Sequence, residues 1–146
     1  MEIRTNLQQM DLDAVYRFLS EHSAWAKGLP RAVFDKSLQH SLCFAGWDQG
    51  QQVAFARVIT DHATFAYLVD VYVEENVRGR GYSKLLMQQL LAHPELQHLR
   101  RFVLVSSSAR GLYQQFGFSA LAKPETYMEI LQPDLYLRMS KDKPAD

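Results

Sequence analysis

The chain has 146 residues, 47% hydrophobic and 22% charged, which suits one soluble globular domain and is too short for two ordinary ones. Sixteen lysines and arginines balance sixteen aspartates and glutamates, so no net field favours nucleic acid or a membrane surface. The lone Cys43 excludes an internal disulfide and a multi-cysteine zinc site, and no apolar run is long enough to span a bilayer.

Residues 3–5 read as a short first strand. Asp11 is a candidate N-cap for a helix carrying Leu12, Val15, Tyr16 and Leu19 at helical spacing. AWAKGLP breaks that helix, and RAVFDKSLQH reads as a second one with Pro30 at its start. SLCFAGW, DQGQ and QVAFARVIT then form strand, turn and strand. Cys43, inside the first of these, reads as a small buried residue rather than a nucleophile. ATFAYLVDVYV is a third, strongly β-prone strand. After ENVRGRGYSKLL, Tyr82, Leu85, Leu86 and Leu90 mark one helical face, which Pro94 ends near His93, a candidate C-terminal cap. RRFVLVS is a fourth major strand. Ala109, Leu112, Tyr113 and Phe116 share a helical face, with Gly117 placed as its terminator. YMEIL reads as a closing strand, and SKDKPAD as a polar tail. The chain therefore divides into one domain, residues 1–139, and a tail, residues 140–146. The order predicts an α/β fold with a mixed, mostly antiparallel sheet flanked by helices. The opening MEIRTNLQQM lacks the apolar segment of a signal peptide, so a cytoplasmic protein is expected.

The glycine-rich stretch carries the chemistry. A strand ending at Val73, a turn with Gly79 and Gly81, and a helix starting beside them make an anion site. The first amides of a helix lack intrahelical partners, and the helix dipole favours negative charge there. Arg78, Arg80 and Lys84 add positive charge around the same point. Phosphate is the natural ligand class. The spacing fits neither a P-loop, since Lys84 follows Ser83, nor a dinucleotide fold, since only G-x-G is present, after a meander.

Arg78-Gly79-Arg80-Gly81-Tyr82-Ser83 resembles the Arg/Gln-x-x-Gly-x-Gly/Ala signature of the GNAT superfamily, the GCN5-related N-acetyltransferases, with Ser83 at the last position. ARGLYQQFGF resembles a second block of that family, with Ala109, Leu112, Tyr113, Gly117 and Phe118 in place and serines where an Asn often precedes it. The chain looks like a small single-domain bacterial member. The resemblance implies a sheet whose central strands splay to admit acetyl-CoA, and no metal. It implies a pyrophosphate on residues 78–84 (Arg78, Gly79, Arg80, Gly81, Tyr82, Ser83, Lys84). The pantetheine arm would run along Val71, Tyr72 and Val73, with the acetyl carbonyl polarised by an amide near Val71 or Tyr72. Tyr113 matches the position that protonates the departing sulfur, and a phenol with a pKa of about 10 holds its proton at neutral pH.

An acid inside a β-prone run is unusual, so Asp70 invites explanation as a general base or as a structural ion pair. Asp61 can hold the acceptor ammonium or simply shape the turn with His62. Trp25 can line the acceptor pocket or cover the core. The five histidines show no metal-ligand spacing. The expected activity is transfer of an acetyl group from acetyl-CoA to a primary amine of a small molecule or peptide, with no nucleic acid or membrane partner and with a homodimer common in the family. The alternative is a non-catalytic acyl-CoA-binding sensor or interaction module on the same fold. The residues leave the amine, the base and the length of the acyl group open.

Overall fold

The structure is a computed structural model, and it describes residues 1–141. Strand β1 (Glu2–Arg4) leads to helix α1 (Leu12–Arg17), which widens into one π-type turn (Phe18–His22). Helix α2 (Arg31–Gln39) precedes three long strands, β2 (Ser41–Asp48), β3 (Gln51–Thr60) and β4 (Phe65–Val73). Helix α3 (Tyr82–Leu91), strand β5 (Arg101–Leu104), helix α4 (Arg110–Gln114) and helix α5 (Leu135–Lys141) complete the chain. No helix among the described residues is long and apolar enough to cross a membrane.

The expected caps form. The Asp11 carboxylate accepts from the Ala14 amide at 3.1 Å, satisfying one of the orphan donors at the start of α1. Pro30 stands just before α2 as its extended N-cap residue, where its missing N–H costs nothing. Gly117 has φ +94°, a left-handed terminator after α4. His93 differs from expectation: α3 ends at Leu91, and the His93 Nδ1 caps the following turn by accepting from the Glu95 amide.

The sheet runs β1-β2-β3-β4-β5 in space, antiparallel except for the last, parallel pair. Both faces are covered, which is why the strands read as nearly continuous apolar runs. Side chains alternate as pleating requires. Phe44, Ala54 and Ala56 face the cluster under α3, with Leu86, Met87 and Leu90. Their neighbours Cys43, Ala45 and Phe55 face the other cluster, with Val15, Leu19, Phe34 and Leu38 from α1 and α2.

Two irregularities shape the middle of the sheet. The register passes from Phe55 opposite Tyr72 to Arg57 opposite Val69, so Ala56 alone faces both Asp70 and Val71. This is a β-bulge, and Asp70 holds it with φ +57°, a conformation that aspartate tolerates better than most residues. The β4–β5 ladder stops at Leu68 opposite Leu104, while β4 continues through residues 69–73. That end of β4 has no strand on its β5 side, which is the expected splay.

Two expectations fail at the C-terminal end. Residues 127–131 form no strand, and the sheet ends at β5. Helix α5 also continues through Ser140 and Lys141, past the expected start of the tail. The rest of the tail, residues 142–146, lies outside the described residues.

Candidate active site

The turn after β4 is built from its anchor outward. Val77 is buried and pins a short 3-10 turn, Glu75–Val77. Gly79 and Gly81 then each adopt φ +80°, which an L side chain rarely takes. Gly81 is the N-cap of α3 and provides no side-chain cap, so the first amides of the helix stay available. A β-carbon built on either glycine would meet nothing within 4 Å. The glycines are therefore required by backbone conformation, and open space lies in front of them.

The three cations divide their work. The Arg78 Nε donates to the Val73 carbonyl at 3.1 Å, tying the turn to the end of β4. Arg80 lies 4.0 Å from the Asp48 carboxylate, which also accepts from the Tyr82 hydroxyl. That bond, ahead of burial, raises the Tyr82 pKa above the usual phenol value. Lys84 is exposed one turn into α3. Val73, Arg78, Gly81, Ser83, Lys84 and Leu112 help to line a cavity of about 270 Å³ over this helix start.

Helix α4 forms the opposite wall. In the segment where the family block often has Asn, the Ser106 Oγ accepts from the Ala109 amide at 2.9 Å and braces the helix start. Leu112 faces the glycine-turn cavity, while the adjacent Tyr113 lines a second cavity of about 270 Å³ beside Leu104, Val105 and Ser106. Tyr113 is 8% exposed, and its ring meets Phe118 edge-on at 6.1 Å. Burial raises its pKa above the usual phenol value, so it stays protonated well beyond neutral pH.

A glycine-flanked helix start, a strand end without a ladder and a buried tyrosine thus stand on neighbouring elements. The acetyltransferase (GNAT) family model matches residues 10–118, three-quarters of the chain, and spans all three. The chain belongs to the GNAT family. A solved GNAT-family protein of Xanthomonas campestris pv. campestris is 50% identical, with TM-score 0.90, covering 92% of this chain and 95% of that one. A Gibberella zeae protein named "putative acetyltransferase" is 29% identical over 76% of this chain and 74% of its own length. The ribosomal-protein-alanine N-acetyltransferase of Brucella melitensis biovar Abortus shares the fold at TM-score 0.61 and 18% identity, covering 90% of this chain and 100% of that one.

In this GNAT chain the remaining acids separate clearly. The Asp70 Oδ2 accepts from the Arg57 Nε at 2.8 Å, with the two side chains 8% and 15% exposed. Its Oδ1 accepts from the Trp25 indole at 2.8 Å, and Arg57 also donates to the Ser41 Oγ at 2.9 Å. Both carboxylate oxygens are thus engaged, which is the structural-ion-pair alternative for Asp70. Trp25 is 53% exposed, so it covers Asp70 while presenting its ring to solvent. Phe18 lies 6.3 Å from Trp25 and stacks on Tyr72 at 3.9 Å, so an aromatic wall reaches the bulged strand. Asp61 is not brought to this cluster. Its carboxylate accepts from the amides of Ala63, Thr64 and Phe65 and from the Thr64 hydroxyl, at the opposite end of β4. Those bonds, the Thr64 hydroxyl first, hold its pKa well below the ordinary carboxylate range. It shapes the β3–β4 turn together with His62, at φ +64°.

Burial pushes the Cys43 thiol up to about 12, leaving it an inert core residue. No group of three histidines, cysteines or acids among the described residues could hold a metal ion. Sequence reasoning missed Arg57, Phe18 and Asp48. Arg57 had a legible signal, a lone cation inside the apolar run QVAFARVIT beside a strand with a lone acid.

Proposed function

We propose that the protein is an N-acetyltransferase that moves an acetyl group from acetyl-CoA to a primary amine. The observation that carries this is the uncapped start of α3. Gly79 and Gly81 hold its turn at positive φ and open space lies before it, next to the strand end that β5 leaves without a ladder. Residues 78–84 suit a pyrophosphate through amides and the helix dipole. Val71, Tyr72 and Val73 offer backbone groups to an extended pantetheine arm. Acetyl-CoA, when bound, supplies a thioester acyl group. Tyr113 holds the proton that a departing thiolate needs, and backbone amides at the bulge stabilise negative charge on the acyl oxygen. With Asp70 held by Arg57, the acceptor proton passes to solvent water. The exposed face of Trp25, with Phe18 behind it, forms one wall for the acceptor.

The test is titration calorimetry with acetyl-CoA on the parent and an Arg78→Ala/Gly81→Glu variant, followed by thiol release with a panel of amines. Binding by the parent that the variant loses, together with amine-dependent thiol release, supports the reading. Binding without release from any amine supports the non-catalytic alternative. No binding by the folded parent refutes both.

A further inference from the structure

Arg57 and Asp70 form a nearly buried ion pair at the bulge, on neighbouring strands. Such a pair stabilises a fold no better than apolar packing, because desolvation offsets much of its attraction. What apolar side chains cannot supply is direction. A guanidinium is a rigid planar fork, and its bonds fix the orientation of the groups that they meet.

Arg57 is itself fixed. Its Nη1 donates to the Ser41 Oγ at 2.9 Å, and that hydroxyl donates in turn to the Ser37 carbonyl of α2 at 2.8 Å. Its Nε donates to the Asp70 Oδ2 at 2.8 Å. The network is rooted in β2 and α2 and ends at the carboxylate.

Asp70 stands at φ +57° directly before Val71 and Tyr72. A residue other than glycine persists in that region only where its surroundings over-determine it. Here β3 holds one carboxylate oxygen through Arg57, and the α1–α2 connection meets the other through the Trp25 indole. Releasing the carboxylate frees the backbone to leave this conformation, and the amides of Val71 and Tyr72 turn with it. The indole depends on the same group. Trp25 is half exposed on a connection between helices, and its bond to Asp70 is its polar tie to the sheet. Phe18, beside it, stacks on Tyr72, so the circuit closes on the strand where it began.

We propose, resting on the acetyl-transfer reading, that Arg57 is a positioning residue that aligns both walls of the reaction centre through the one carboxylate of Asp70. On the acyl side it sets the amides that follow the bulge. On the acceptor side it sets the Trp25 ring. Arg57 touches neither reactant, its Nε and Nη1 being engaged by Asp70 and Ser41.

The test reads each wall by its own signal, in the parent, in Arg57→Met and in Arg57→Met/Asp70→Asn. Infrared spectroscopy of acetyl-CoA isotope-labelled at the thioester carbonyl reports the acyl side. Solvent exchange of the Trp25 indole N–H, identified by its loss in Trp25→Phe, reports the acceptor side. In the parent the bound carbonyl should absorb below that of free acetyl-CoA, and the indole should exchange slowly. In both variants the carbonyl should return toward its free value and the indole should exchange freely, with acetyl-CoA still bound through residues 78–84. The double variant leaves no unpaired buried charge, so it should fold even where the single one does not, which circular dichroism verifies. Its asparagine keeps an oxygen for Trp25 and the tolerance for positive φ, so the signals it loses report the hold of Arg57. A pair that only stabilises the sheet predicts the opposite, and either signal staying at its parent value in the double variant overturns the proposal. So does a parent whose bound carbonyl absorbs as free acetyl-CoA. A folded parent that does not bind acetyl-CoA overturns the acetyl-transfer reading and this proposal together, whereas binding with unmoved signals overturns this proposal alone.

Discussion

Replacing Asp70 by asparagine distinguishes a structural acid from a catalytic one. The change keeps the side-chain shape, the tolerance for φ +57° and an oxygen that can accept from Trp25. It removes the negative charge facing Arg57 across 2.8 Å, in a place where the two side chains are only 8% and 15% exposed. Breaking a buried pair from one side typically costs about 3–5 kcal/mol, because the remaining charge stays buried without compensation. Two features place this site at the lower end. Arg57 retains its bond to Ser41, and asparagine can still accept from a guanidinium, so about 2–3 kcal/mol is expected. In a chain of this length that corresponds to a fall in Tm of roughly 5–10 °C.

Urea unfolding measures the loss directly, and a cycle with Arg57→Met isolates the pair. The double variant Arg57→Met/Asp70→Asn should be less destabilised than the sum of the single variants, with a coupling of about 1–3 kcal/mol. Turnover of folded Asp70→Asn should fall less than tenfold, since a free base contributes about 10²–10⁴-fold. A stability change under about 0.5 kcal/mol, the level of an ordinary surface substitution, would refute the ion-pair account. Joined to a large loss of turnover, that result would return Asp70 to the role of base.

Two further predictions follow from the perturbed groups. Tyr113→Phe should lower kcat by about 10²-fold while leaving acetyl-CoA affinity unchanged, as steady-state kinetics and calorimetry would show; the parent's alkaline limb should lie above the ordinary tyrosine value because burial raises this phenol. Asp61→Asn should destabilise the fold at neutral pH, and the gap to the parent should narrow under acid. The folded pKa of Asp61 lies below its unfolded value of about 3.9, so its contribution is complete above that value and lost as pH falls through the folded one. Urea midpoints at neutral and strongly acidic pH check the sign, and a gap that widens under acid would contradict it.

Most of the frame was legible because local signals and tertiary packing agree. The β2–β3–β4 meander follows from three β-prone runs, the Asp11 cap forms, and the glycine turn lies between strand and helix. The acids were harder to place, because their roles depend on register. Asp61 and Asp70 look alike as lone acids at or in strands, yet one is spent on three amides of its own turn and the other on a cation thirteen positions away. Only the bulge opposite Ala56 decides which neighbour Asp70 meets. No one-dimensional pattern reports a bulge held by a non-glycine residue.

The YMEIL segment shows a different limit. Its apolar, β-prone composition is sound, and the expected strand is nonetheless missing from the single chain. Strand propensity is fit to a pleated, half-buried surface, and a strand needs an edge to pair with. Among the described residues the sheet ends at β5, and although its Arg101 lies over the Tyr127 ring, no ladder joins β5 to residues 127–131. The composition of residues 127–131 is therefore compatible with a strand without being sufficient for one.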